Sequence, residues 1–131
     1  MEKLKEILLH DRFAAGAGVE LMEVRGGYAK ARMLVTKNHL NAGGVCQGGA
    51  LFTLADLAFA AVANSRRQLT LSLNAQITFL SAVAQGWVYA EAEEVFSHAR
   101  VPFIEVRITD EEGRLVAVLT SSGYRKKENL F

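Results

Sequence analysis

The stretch Asn38–Asn64 decides the fold, and it reads NHLNAGGVCQGGALFTLADLAFAAVAN. Its first twelve residues include four glycines and two asparagines, a composition typical of a loop with unusual backbone angles. A helix is predicted to follow, beginning near Gly48 or Gly49 and ending around Asn64. Because this helix is apolar nearly all round, it is expected to lie in the core rather than on the surface.

Asp56 is the one carboxylate in that helix. A charge buried without partners is costly, so such a residue is either well paired or present for chemistry. The structural alternative is a carboxylate paired with a backbone group or with Thr53, one turn earlier. The pattern alone leaves both alternatives open.

The remaining sequence predicts one helix and six strands around the central stretch. A helix is expected over 3–12 and a loop over 14–18. Strands are expected over 19–24, 28–36, 69–80, 86–96, 102–109 and 114–124, and a frayed tail over 125–131. Strand 69–80 alternates, so its odd-numbered residues are predicted to form one apolar face. Short hairpin-type connections between the last four strands predict an antiparallel sheet, and one sheet with one helix against it is an α+β arrangement.

Composition excludes several classes of function. The 131 residues predict a single domain over 1–131, and a net charge of +1 gives no reason to expect nucleic acid or a membrane surface as partner. The apolar run Ala50–Ala63 is too short to span a bilayer. The single cysteine, Cys46, cannot form an intramolecular disulfide, which fits a cytoplasmic protein. The three histidines show no ligand spacing with it, so no metal is expected.

The segment Asn41–Asp56, NAGGVCQGGALFTLAD, resembles the motif of hotdog-fold thioesterases. It is most similar to the PaaI-type acyl-CoA thioesterases of phenylacetate degradation, which carry an asparagine, a His-Gly-Gly and a helical aspartate. The likeness extends to 11–13, 18–20 and 77–80. It implies an antiparallel sheet wrapped around one long helix, and acyl-CoA hydrolysis at a subunit interface. It implies no cofactor, since coenzyme A is part of the substrate.

The resemblance also implies a role for individual residues. Asp56 would be the catalytic carboxylate, as nucleophile through an anhydride or as general base on water. Asn41 and the backbone N–H of Gly48 or Gly49 would address the thioester carbonyl. Ser72 would support the attacking group.

Two further residues are candidates for substrate binding. Gln47 stands where the family carries histidine, and glutamine can hydrogen-bond but cannot carry a proton. Arg100, in a loop between two predicted strands, is the best candidate among the basic residues for the coenzyme A phosphates. The acyl group is expected to be aryl or arylacetyl, with a medium-chain fatty acyl group as the second possibility.

Helix geometry predicts how the site is assembled. Gly49 and Asp56 are two turns apart, about 10 Å along the axis, and side-chain tilt recovers only about 2 Å. Both cannot touch one carbonyl, so we expect a two-fold homodimer in which Asp56 of one chain meets Asn41 and Gly49 of the other. The dimers are expected to pair further into a homotetramer.

Two other functions compete with the thioesterase. One is a non-catalytic acyl-CoA-binding or regulatory domain of the same fold, which has little use for a carboxylate near a thioester. The other is a hydratase or dehydratase of this fold, which is expected to show histidine with the aspartate near the helix start. No histidine lies in 48–64.

Overall fold

Six strands form one sheet, and the third helix packs against it. The computed structural model describes residues 1–131. The elements in chain order are α1 (Glu2–Leu8), α2 (Arg12–Gly16), β1 (Val19–Arg25), β2 (Tyr28–Val35), a 3₁₀ turn (Lys37–His39), α3 (Gly48–Ala63), β3 (Gln68–Phe79), β4 (Gly86–Phe96), β5 (Phe103–Asp110) and β6 (Leu115–Asn129). Helix α3 contacts all six strands, so the predicted α+β fold with a sheet around one long helix is confirmed.

The sheet has the strand order β1-β2-β4-β5-β6-β3, and every neighbouring pair is antiparallel. The antiparallel prediction is therefore confirmed, but the hairpin expected between β3 and β4 is wrong. Strand β3 pairs only with β6, at the opposite edge from β1. Because the β3–β4 connection is short, the local pattern suggested a hairpin where the chain instead crosses to pair elsewhere.

Helix α3 begins at Gly48 and ends at Ala63, as predicted. Most of its side chains are buried: Leu51, Leu54, Ala55, Leu57, Ala58, Phe59, Ala61, Val62 and Ala63. One strip along the helix is not covered, because Gly49 and Asp56 are exposed and Thr53 is partly exposed. The expectation that the helix is buried on all sides is wrong for this strip, which includes its only carboxylate.

Strand β3 contains a β-bulge at Leu73, which has no partner on β6 although its neighbours do. An extra residue reverses the inward and outward faces of a strand. Thr70 is buried before the bulge, whereas Ile77 packs against the core after it. The predicted continuous apolar face is therefore wrong, and Leu71 and Leu73 are exposed.

The N-terminal segment folds as two short helices instead of one. Asp11 ends the expected helix because its carboxylate accepts the N–H of Ala14 at 3.0 Å, which caps the start of α2. The loop expected over 14–18 is therefore largely helical. None of the helices is both long and apolar enough to cross a membrane.

The C-terminal segment is also more ordered than predicted. Strand β6 continues past Tyr124 to Asn129, so most of the expected frayed tail over 125–131 is strand, and Asn129 pairs with Gln68 at the start of β3. Arg125 is opposite Thr70 and its side chain is buried. A charged composition suggested solvent exposure, but a buried ion pair compensates this charge.

Candidate active site

The start of helix α3 presents backbone donors that nothing in the chain satisfies. Gln47 precedes the helix without a side-chain capping bond, and its carbonyl accepts the N–H groups of Ala50 and Leu51. The N–H groups of Gly48 and Gly49 donate no hydrogen bond. Since the helix dipole is positive at this end, the two groups can polarise a carbonyl oxygen.

The glycine-rich loop before the helix is organised by Asn41. Its side-chain oxygen accepts the N–H of Gly43 at 2.9 Å and that of Val45 at 3.3 Å. Gly44 has φ of +82°, a conformation that favours glycine. The exposed side-chain Nδ2 of Asn41 donates no hydrogen bond within the chain. Asn41 therefore shapes the turn with its oxygen and keeps a donor free for a ligand.

The junction between loop and helix separates two open clefts. A cleft of about 680 Å³ contains Gln47, Gly49, Thr53, Phe13, His39 and Trp87 among its lining residues. A cleft of about 450 Å³ is lined by Asn41, Gly48, Cys46, Phe79 and Leu80 among others. The structure thus groups Gln47 with Gly49 and Asn41 with Gly48.

Both helix-start glycines are closely approached by side chains. A Cβ atom on Gly48 would lie 2.9 Å from Cζ of Phe79. A Cβ atom on Gly49 would lie 2.5 Å from the side-chain oxygen of Gln47. The Gln47 amide therefore lies against the Cα of Gly49.

Asp56 has no hydrogen-bond or ion-pair partner within the chain, and it lines neither cleft. The Thr53 hydroxyl donates instead to the carbonyl of Gly49 at 2.8 Å, so a pairing of Asp56 with Thr53 is absent. Although Asp56 is exposed, nearby protein atoms desolvate its carboxylate and raise its pKa. The negative charge of Asp11 raises the pKa of Asp56 further. Such a carboxylate is a stronger base than an ordinary aspartate.

Ser72 and Arg100 lie outside both clefts. Ser72 is exposed on β3 and pairs with Gly123 next to the bulge. Arg100 donates to the carbonyl of Arg125 at 2.8 Å, and Arg125 joins the ion pairs beyond the C-terminal end of α3. Within one chain, neither residue is brought together with the helix start.

His39 is the cleft residue that the sequence did not single out. Its ring contacts Thr36 and Ala17, and its carbonyl accepts the N–H of Gln47 at 2.7 Å. The available signal was the spacing Thr-x-x-His directly after a strand, which matches a capping box with histidine in place of Glu or Gln. The spacing of His39 to the other histidines and to Cys46 is not that of metal ligands.

Cys46 has the properties of a core residue. It is buried, and desolvation raises the pKa of its thiol, which favours the unreactive protonated form. No cluster of three or more His, Cys, Asp or Glu side chains is placed to hold a metal ion.

Comparison with known proteins is consistent with this geometry. The family model described as Thioesterase superfamily matches residues 43–117. A putative esterase of Archaeoglobus fulgidus is 34% identical over 131 residues, covering 98% of this chain and 85% of that protein. The acyl-coenzyme A thioesterase PaaI of Escherichia coli is 28% identical over 117 residues, covering 88% and 84%.

Solved structures share the whole fold. The structure of the E. coli PaaI protein from the phenylacetic acid degradation operon has a TM-score of 0.90 at 26% identity, covering 95% of this chain and 91% of that one. A hypothetical thioesterase of Streptococcus pneumoniae with coenzyme A has a TM-score of 0.82 at 26% identity, covering 90% and 95%.

Proposed function

Because this chain belongs to the thioesterase superfamily, as a hotdog-fold thioester hydrolase of the PaaI type, we propose that it hydrolyses aryl- or arylacetyl-CoA to the free acid and coenzyme A. Medium-chain acyl-CoA is the second candidate substrate. The observation that carries the proposal is the unsatisfied helix start at Gly48 and Gly49, which opens into clefts large enough for an acyl group.

In the proposed reaction, the thioester carbonyl oxygen accepts the N–H of Gly48 or Gly49 and the Nδ2 of Asn41. Negative charge grows on this oxygen as the carbonyl carbon becomes tetrahedral. Donors fixed before the reaction stabilise that charge, and one such donor contributes about 3–4 kcal/mol in other enzymes. The free N–H groups and the free amide of Asn41 support this assignment.

Asp56 supplies the attack by one of two balanced routes. As general base it takes a proton from water, and the hydroxide adds to the carbonyl carbon. The C–S bond then breaks, and the leaving thiolate takes the proton back from Asp56. As nucleophile its oxygen displaces the thiolate and forms an anhydride. Water then opens the anhydride, which restores the Asp56 carboxylate and supplies the proton that converts the thiolate to the thiol. The raised pKa and the missing partner of Asp56 support both routes. Protein groups and water suffice, and coenzyme A enters only as part of the substrate.

Two chains are proposed to complete each site, with Asp56 of one chain facing Asn41 and Gly49 of its partner. Strand β3 supports this arrangement, since it is an edge strand and exposes Leu71 and Leu73. Exposed edges with apolar side chains favour pairing with another chain. Such dimers are proposed to associate further into a tetramer.

The substrate contacts follow from the same proposal. Gln47 would touch the thioester beside Gly49, since its amide already lies there. The aromatic residues Phe13 and Trp87 of the larger cleft favour an aryl group. Ser72 would support the attacking group, and Arg100 would contact coenzyme A phosphates. Both lie away from their own chain's clefts, so each would act through the assembled dimer.

The decisive experiment measures thiol release from phenylacetyl-CoA, benzoyl-CoA and octanoyl-CoA by the wild type and by Asp56→Asn. We expect turnover by the wild type and a fall in kcat of about 10²- to 10⁴-fold in the variant. The stability of the folded chain should change little, because Asp56 has no hydrogen-bond or ion-pair partner within its own chain. Glu6→Gln, which alters an exposed carboxylate on α1, is the control with unchanged kcat.

Two results would overturn the proposal. The first is an Asp56→Asn enzyme with the wild-type rate, which would remove the carboxylate from the mechanism. The second is a wild type that binds these acyl-CoAs without releasing thiol, which would favour the non-catalytic binding domain.

A further inference from the structure

His39 occupies the point where three segments near the helix start meet. It ends the 3₁₀ turn Lys37–His39 after β2 and lies in the larger cleft together with Gln47 and Gly49. Its side chain contacts Thr36 on one side and the carbonyl of Ala17 on the other. No other histidine lines either cleft.

The partners of the His39 ring fix its tautomer. Nδ1 lies 3.0 Å from the backbone N–H of Thr36, which can only donate, so Nδ1 must accept. Nε2 lies 2.6 Å from the carbonyl oxygen of Ala17, which can only accept, so Nε2 carries the proton. Because both ring nitrogens are committed to the backbone, the imidazole cannot take up a substrate proton without breaking a structural contact.

The backbone of His39 connects these contacts to the helix start. Its carbonyl accepts the N–H of Gln47 at 2.7 Å, and the carbonyl of Gln47 accepts the N–H groups of Ala50 and Leu51 in the first turn of α3. A single hydrogen bond therefore joins His39 to Gln47, the residue that immediately precedes α3. Leu40 and Cys46 form a β-bridge within the same loop, so the segment is short and closed.

We propose that His39 is a positioning residue for thioester hydrolysis, which holds the Gly48 and Gly49 N–H groups in place by tying Thr36 and Ala17 to the segment that starts α3. The inference rests on the proposed function, since it needs the helix start to polarise the carbonyl. Displacing donors by about 1 Å can cost about 100-fold in rate. The ring acts through the backbone, so substrate binding is affected less than turnover.

The test compares kcat and KM for phenylacetyl-CoA in His39→Ala and His39→Gln. We expect His39→Ala to lower kcat about 10- to 100-fold with KM within about twofold, because the lost interaction is made in the transition state. His39→Gln restores a capping box and can donate to Ala17, so it should recover kcat to within about fivefold of the wild type.

His98→Ala is the matched control. The His98 ring also accepts two backbone N–H groups, from Arg100 and Val101, but in the β4–β5 connection, away from both clefts. Its kcat should equal that of the wild type. Only kcat is compared, because Arg100 is a proposed contact for coenzyme A.

The outcomes separate this inference from the proposed function. A wild type without turnover overturns both. An active wild type together with a His39→Ala enzyme of unchanged kcat overturns only the role of His39, as does a His39→Gln enzyme that is no better than His39→Ala. If His39→Ala fails to fold, Thr36→Val removes one bond to the ring and should lower kcat about two- to fivefold. An unchanged kcat in Thr36→Val would then overturn the inference.

Discussion

At its C-terminal end, helix α3 is held by buried side chains, whereas at its N-terminal end the first N–H groups have no partner. Asn64 donates to the carbonyl of Ala60 at 2.9 Å and accepts the N–H of Thr70 at 2.8 Å. Ser65 donates to Val62 and accepts the N–H of Gly27. The start of the helix has no such side chain.

A buried ion-pair network extends the satisfied end. The carboxylate of Glu94 lies 3.0 Å from Arg125 and 3.2 Å from Arg66, and the Glu94 side chain is only 2% exposed. Burial alone would raise the pKa of Glu94, but hydrogen bonds from Arg125, Ser97 and Arg66 outweigh it and lower the pKa. One end of the helix therefore contributes stability, and the other leaves polar groups free for a ligand. Changes at the two ends should accordingly affect different measurements.

The largest effect is expected at the satisfied end, in Glu94→Gln. Removing this charge leaves the Arg125 guanidinium buried without compensation, so urea denaturation should show a loss of about 3–5 kcal/mol in unfolding free energy. The value of kcat should not change while the protein is folded. Because the folded pKa of Glu94 is lowered, its contribution is present above the ordinary glutamate pKa and lost as pH falls through the folded value.

Glu93→Gln is the control for that experiment, since Glu93 is the exposed neighbour on the same strand. It should change the unfolding free energy by less than about 0.5 kcal/mol. A large fall in kcat in Glu94→Gln without loss of stability would contradict the division between the two ends.

An intermediate effect is expected at the unsatisfied end, in Gly49→Ala. Alanine is a better helix former than glycine, and the only close neighbour of the new methyl group is the flexible side chain of Gln47. Stability should therefore be kept or slightly raised. The methyl group would keep the thioester carbonyl from the helix N–H, so we expect kcat to fall about 10- to 100-fold.

The double variant Gln47→Ala, Gly49→Ala separates two explanations of that fall. If the methyl group itself blocks the carbonyl, the double variant has the low kcat of Gly49→Ala. Recovery to the rate of Gln47→Ala would instead mean that the displaced glutamine caused the loss. A Gly49→Ala enzyme with the wild-type kcat would remove the helix start from the mechanism.

The smallest effect is expected from Asp11→Asn, which acts on the pKa of Asp56 between the two ends of the helix. Asp11→Asn keeps a side-chain oxygen to cap α2 but removes a negative charge that raises the pKa of Asp56. Because Asp56 must be ionised to act, the acid limb of the kcat profile should move to lower pH, with an unchanged plateau above it. The shift should be partial, since desolvation is the larger cause and remains. A limb that moves to higher pH would contradict this account.

The helix and its glycine-rich start were predictable because their signals are local. The change from a loop composition to an apolar run specifies where α3 begins, and the polar residues after Ala63 specify where it ends. The turn at Gly26 and Gly27 was predictable for the same reason, since β1 ends and β2 begins on either side of it.

The errors arose where distant residues determine the local structure. Nothing near Leu73 indicates a bulge, which depends on the register with β6. The partner of β3 was likewise hidden, because pairing across the sheet leaves no local pattern. The exposure of Asp56 was missed because apolar composition does not reveal which face of a helix the sheet leaves uncovered.

The candidate site was predictable only as a set of residue types. The pairing of Gly49 with Gln47 and of Asn41 with Gly48 depends on how the helix start divides two clefts. His39 was missed because its ring bonds the carbonyl of Ala17 and its own carbonyl bonds the N–H of Gln47, contacts that depend on the fold. The residue type alone does not show that this histidine lies in the same cleft as Gln47 and Gly49.

The pairing of β3 with β6 also has a consequence during synthesis on the ribosome. Phe79 pairs with Ala117 and Gln68 with Asn129, so β3 and the apolar helix before it are complete long before their last partner strand exists. At about 5–20 residues per second, translating residues 80–129 takes roughly 3–10 s. During that interval the nascent chain exposes an apolar helix and an unpaired strand. Binding of a chaperone to residues 48–79 in that interval would protect it from aggregation.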